Sequence, residues 1–129
     1  MLGTNDLKVQ YGRSPAAITE GMRVLLDEYA IFAQKYKIKQ PKLLLMSPPH
    51  VKEVRPELYA DAEEKSRHLA AYYQRLVEER GAAESDIYFL DAAKYAEPSN
   101  IDGVHLEVSA HRALAAGVFE VLKAMNVVR

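Results

Sequence analysis

The chain has 129 residues, with 17 lysines and arginines against 18 aspartates and glutamates, no cysteine and 49% hydrophobic content. That composition suits a single soluble domain with a real core, and its near-neutral charge argues against a nucleic-acid or membrane-surface partner. Without cysteine, disulfides, thiolate nucleophiles and Cys-ligated metals are excluded. The apolar runs are too short to span a bilayer and the N-terminus carries no secretory pattern, so the default location is cytoplasmic.

The first stretch, Gly3-Thr4-Asn5-Asp6, reads as the end of a buried strand running into a loop, although no strand precedes it. Ser14-Pro15 starts a helix, with a hydroxyl cap followed by proline at the first helical position. Ile18, Met22, Leu25, Leu26, Tyr29, Phe32, Ala33 and Tyr36 then recur at three- and four-residue spacing and predict one apolar face, ending near Lys37. Leu43-Leu44-Leu45-Met46 is too short for a helix and does not alternate, which predicts a strand covered on both faces. Ser47-Pro48-Pro49 stops it, because proline cannot donate to a ladder.

A second helix is predicted from Pro56 to about Arg80, with Leu58, Ala62, Leu69, Tyr72, Tyr73, Leu76 and Val77 on its apolar side and Gly81 just past its end. Ile87-Tyr88-Phe89-Leu90 is a second buried strand, ending at Asp91. A polar loop through Glu97-Pro98-Ser99-Asn100 leads to Asp102-Gly103-Val104-His105. The last helix is predicted from about Glu107 to Met125, with Leu114, Val118, Val121, Leu122 and Met125 inward. No repeat, linker or low-complexity segment interrupts the chain. Alternating strands and helices predict an α/β fold with a parallel sheet. Ligands bind such sheets at the carboxyl ends of the strands. Three segments converge on that edge: Gly3 to Asp6, Ser47 to His50, and Asp91 to His105.

Two of these segments carry residues suited to acyl chemistry. An acid three residues before a histidine can fold back onto the imidazole, hold its tautomer and stabilise the imidazolium. The other reading of Asp102-Gly103-Val104-His105 is a turn, with His105 capping the final helix. Asn5, just past a strand end, can donate its amide to a developing oxyanion, or it can close an ordinary Asx-turn. Asp102, His105 and His111 fit no common zinc spacing, so no metal is expected.

Taken together and in this order, the motifs resemble the SGNH (GDSL-type) serine hydrolases. Gly3-Thr4-Asn5-Asp6 is similar to that family's Gly-x-Asn-Asp block and Asp102-Gly103-Val104-His105 to its Asp-x-x-His block, with the arylesterase and acyltransferase branch the most similar. The resemblance spans essentially the whole chain. It implies a flavodoxin-like three-layer α/β/α fold, a Ser-Asp-His triad acting on a small ester without a cofactor, and an oxyanion hole. By position, Asn5 is the oxyanion donor, His105 the general base and Asp102 its partner. His50 and Tyr11 are candidates for the substrate pocket, with solvated loop positions as the alternative, and Arg13 stands beside Tyr11 in the same loop.

The family's Gly-Asp-Ser block, which bears the nucleophile, and its glycine-donor block both precede Gly-x-Asn-Asp, and this chain has neither. None of Ser14, Ser47, Ser66, Ser85, Ser99 and Ser109 has that context, and only Ser47, at a strand end, is placed near the site. The expectation is a C-terminal portion of one hydrolase domain with its N-terminal strands missing, inactive or nearly so alone. In the strand order 2-1-3-4-5 the run from Leu43 to Met46 then becomes an open apolar edge. A homo-oligomer, or association with the missing N-terminal segment, is expected to cover it. The alternative is a non-catalytic α/β module that folds by self-association or binds a partner.

Overall fold

The structure, a computed structural model, describes residues 1–81 and 86–128. Two parallel strands, β1 (Leu43–Ser47) and β2 (Ile87–Asp91), pair in register from Leu43 against Ile87 to Ser47 against Asp91. Among the described residues four α-helices accompany them: α1 (Pro15–Lys35), α2 (Pro56–Tyr59), α3 (Ala62–Gly81) and α4 (Val108–Ala124).

Successive strand residues point to opposite faces, and both faces are covered. Leu43, Leu45, Ile87 and Phe89 join Leu69, Tyr73, Leu76 and Val77 of α3, with Ile18 and Met22 of α1, in the larger core. Leu44, Met46 and Leu90 turn the other way and meet Leu114, Val118 and Val121 of α4. The predicted α/β layering, helices on both sides of a parallel sheet, is the one observed. Among the described residues no helix is long and apolar enough to cross a membrane.

The predicted Ser14 cap and both strand ends are present. Ser14 accepts from the Ala17 N–H at 3.2 Å, with Pro15 opening α1. Three expectations need correction. The helix expected from Pro56 to Arg80 is two helices, because Asp61 takes a left-handed backbone (φ 60°) after an extended Ala60. Aspartate tolerates that conformation, and apolar spacing does not report it. Gly81 is the last residue of α3, and its φ is not left-handed, so the expected glycine stop does not operate there. On α1, Ile18, Met22 and Ala33 are buried and Leu26 packs on the core, but Leu25, Phe32 and Tyr36 are about half exposed. The stripe that meets α3 is narrower than the apolar face in the sequence.

The adjacent tyrosines of α3 diverge as expected. Tyr73 is fully buried and Tyr72 is 38% exposed. The Tyr73 hydroxyl donates to the Leu2 carbonyl at 3.2 Å, and burial pushes it up to about 12. This contact holds the chain ahead of Gly3 against α3. Gly3 itself (φ 122°) lies so close that a Cβ would come within 2.8 Å of Leu69 and 3.0 Å of the Tyr73 hydroxyl. A side chain there would push away the segment that carries Asn5.

Candidate functional site

The Asp102–His105 loop is built by its own hydrogen bonds. Gly103 N–H donates to the Ser99 carbonyl (2.9 Å) and Ser99 N–H to the His105 carbonyl (2.7 Å). The buried Ser99 hydroxyl accepts from Ile101 N–H (3.1 Å) and donates to Glu107 (2.6 Å). Lys52 N–H donates to the Gly103 carbonyl at 2.9 Å, which pins the loop to the segment after β1. Gly103 has φ 75°, and a Cβ there would lie 2.0 Å from the Lys52 carbonyl oxygen. Only glycine fits that close approach.

Within this frame Asp102 does two things at once. Its Oδ1 accepts from the backbone N–H groups of Val104 and His105, both at 2.9 Å, and its Oδ2 meets His105 Nδ1 at 2.6 Å. The turn and the acid–histidine pair, rival readings of the sequence, coexist because a carboxylate has two oxygens. His105 does not cap α4; that position is Glu107. The Val104 N–H, then the His105 side chain and the His105 N–H, hold the Asp102 carboxyl down to about 2 from its ordinary 3.8. The His105 side chain is 85% exposed, against 31% for Asp102. With Nδ1 on the carboxylate, Nε2 has no partner among the described residues and faces the open side.

Folding thus depresses the Asp102 pKa. Its contribution to stability is complete above the ordinary 3.8 and is lost as pH falls through about 2. A carboxyl-carbon NMR titration is expected to place the Asp102 midpoint near 2. In His105→Ala it is expected to rise only part of the way, since both backbone donors remain. A wild-type midpoint at the ordinary value would refute this account.

Asn5 opens a short helical turn, Asn5–Leu7. Among the described residues its side chain takes no hydrogen bond, so no Asx-turn uses it. Asn5, Asp102 and His105 line one cavity of about 630 Å³, together with Lys8, Arg55, Leu58, Tyr59, Leu106 and His111. Two of the three predicted edge segments therefore meet. The third does not join them: His50 lines a separate cavity of about 160 Å³, where its Nδ1 lies 3.5 Å from Arg67. Tyr11 lies on the surface beneath the Arg13 guanidinium, 5.6 Å from its ring centre, and outside the cavity. Both were candidates for the substrate pocket with a solvated loop position as the alternative, and neither lines this cavity. His50 is turned off by the Pro48-Pro49 exit from β1, and Tyr11 by a second short turn, Val9–Tyr11.

Among the described residues no serine lines the cavity. Ser14 caps α1. Ser47 is fully buried and donates to Asp91 at 3.2 Å. Ser66 is locked between Val51 N–H and the Glu63 carbonyl, and Ser109 lies on α4. Ser85 lies outside the described residues. Lys8, Arg55, Tyr59 and His111 were not anticipated as cavity residues. Tyr59, in α2, is buried, and its hydroxyl is pushed up by burial and then by the nearby Asp102 charge.

A parallel sheet covered on both faces, with an acid–histidine pair and an unpartnered amide gathered in one cavity, defines an α/β protein of the kind that works from loops around its sheet. The model of the GDSL-like lipase/acylhydrolase family matches residues 1–118, and the chain belongs to that family. Three solved structures are similar over 97% of this chain and 59% of their own. They are a carbohydrate acetylesterase family member from Sinorhizobium meliloti (27% identity, TM-score 0.81), the inhibitor-bound aryl esterase of M. smegmatis (27%, 0.82) and a proposed arylesterase from Agrobacterium tumefaciens (34%, 0.81). The chain thus spans about three-fifths of the length of these structures. No curated protein matches it.

Proposed function

We propose that this chain carries the general base, its orienting acid and one oxyanion donor of a carboxylic-ester hydrolase. The observation that carries this reading is the meeting of Asn5 with the Asp102–His105 pair in one cavity. Family membership and the names of the similar structures, acetylesterase and aryl esterase, support the ester as substrate.

A serine hydroxyl attacks the ester carbonyl, and His105 Nε2 takes its proton. The Asp102 carboxylate, ionised at every ordinary pH, stabilises the imidazolium through Nδ1. The Asn5 amide donates to the oxyanion as charge develops there. His105 then returns the proton to the leaving alcohol, and water completes the second half. The wide opening over His105 favours water over an alcohol as the acyl acceptor. In this reading the attacking serine comes from outside the described residues, since none of the described serines lines the cavity.

A second reading rests on the surface. Among the described residues β1 pairs only with β2, and Val24, Leu25, Ile31 and Phe32 of α1 are about half exposed. An open strand edge beside an apolar flank invites association, either with a second copy or with a segment that supplies the serine. Native mass spectrometry before and after a fluorophosphonate probe tests both readings. The expected result is an assembly larger than one 14.5 kDa chain, with no adduct on this chain and any adduct on a co-purifying segment. A monomer would remove the association, and an adduct on this chain would place the nucleophile within it.

A further inference from the structure

We infer that the cavity selects esters that carry an anionic substituent; this rests on the proposed ester chemistry and names its substrate class. The protein as a whole is slightly acidic, at net charge −1. The cavity is the opposite. Lys8 and Arg55 line it, with His111 as a further N–H donor, and Asp102 is the single carboxylate among the lining residues.

That carboxylate is committed. Both Asp102 oxygens are taken by Val104 N–H, His105 N–H and His105 Nδ1, so it forms no ion pair with Lys8 or Arg55; its charge remains, and the two cations outnumber it. Lys8 forms no ion pair among the described residues; the neighbouring Asp6 is held instead by Arg13 at 2.7 Å. Arg55 gives its Nε to Glu57 at 2.9 Å. Among the described residues its two terminal nitrogens have no partner, which leaves the planar fork that suits an anionic oxygen pair. Leu58 and Leu106 supply apolar wall between these groups. Low-dielectric walls around an excess of positive charge focus the field on a bound anion. An apolar acyl or aryl body with a carboxylate, sulfate or phosphate attached complements this lining.

Non-hydrolysable amides make the test independent of turnover. N-phenylsuccinamate carries its charge on the acyl side and 4-acetamidobenzoate on the leaving-group side; N-phenylbutanamide and acetanilide are their neutral counterparts. Binding to the full chain is read by NMR shifts of the His105 and His111 rings. The expected result is that at least one anionic ligand binds about fivefold more tightly than its neutral counterpart, the sum of two partly exposed ion pairs. The preference shrinks as salt is raised and approaches unity in Lys8→Met/Arg55→Met. The salt series holds even if that variant fails to fold. Equal binding of charged and neutral ligands, or no binding of any, overturns the inference. Turnover of neutral esters without an anionic preference sinks the inference and leaves the ester reading standing. Anion-selective binding without turnover in a fluorophosphonate-reactive sample does the reverse.

Discussion

His105→Ala is expected to lower ester turnover by about 10⁴-fold, the scale on which removing one member of a serine–histidine–acid unit acts. The loss falls on kcat. The imidazole is 85% exposed at the mouth of the cavity and adds little to ground-state binding. Without it the serine must attack as a neutral hydroxyl, and the leaving alkoxide departs unprotonated. The measurement is kcat for 4-nitrophenyl acetate in a preparation that takes the fluorophosphonate adduct, so that the nucleophile is known to be present. Added imidazole is expected to restore part of the rate in His105→Ala, because the open side that leaves Nε2 free also admits a small base. A loss of less than about tenfold, which corresponds to little more than 1 kcal/mol of barrier, would remove His105 from the general-base role.

The second large effect concerns stability. Gly103→Ala is expected to cost about 2–4 kcal/mol, combining a left-handed backbone for a residue with a Cβ and displacement of the Lys52 carbonyl. The clash is with backbone, at 2.0 Å, so no side chain can swing away to relieve it. Relief requires breaking the Lys52–Gly103 hydrogen bond or opening the loop, and either moves Asp102 from under His105. A urea titration is expected to show a lower midpoint at unchanged slope. Gly21→Ala is the control. Gly21 lies inside α1 with open space around it, and alanine there is expected to be neutral or stabilising by up to about 1 kcal/mol. A Gly103→Ala midpoint equal to that of wild type would mean the loop has room the geometry denies it.

Much of the fold was legible because it is written in local pattern. The Leu43–Met46 and Ile87–Leu90 runs have no polar face to give away, so they had to be covered on both sides. The structure covers them with α3 and α4. The Ser14-Pro15 start of α1 is visible because a cap involves only a few neighbouring residues. The Asp102–His105 pair was legible for the same reason. Its partners stand three residues apart, and one turn closes them.

What the sequence by itself determined about this protein is therefore the two strands and their parallel pairing, the first and last long helices and the acid–histidine motif, all products of short-range spacing. The tertiary structure decided which distant pieces meet. It brought Asn5 into the cavity with His105, as the shared sheet edge led one to expect, but it alone sent His50 to another cavity and Tyr11 to the surface, and brought Lys8, Arg55, Tyr59 and His111 to the site. It also decided that Leu25 and Phe32 stay half exposed, because a helix buries only the stripe its neighbour reaches. The break at Ala60 and Asp61 separates α2, whose Leu58 and Tyr59 line the cavity, from α3 by a change of backbone rotation. Hydrophobic spacing carries no trace of such a rotation, because its consequence appears only when the chain packs against itself.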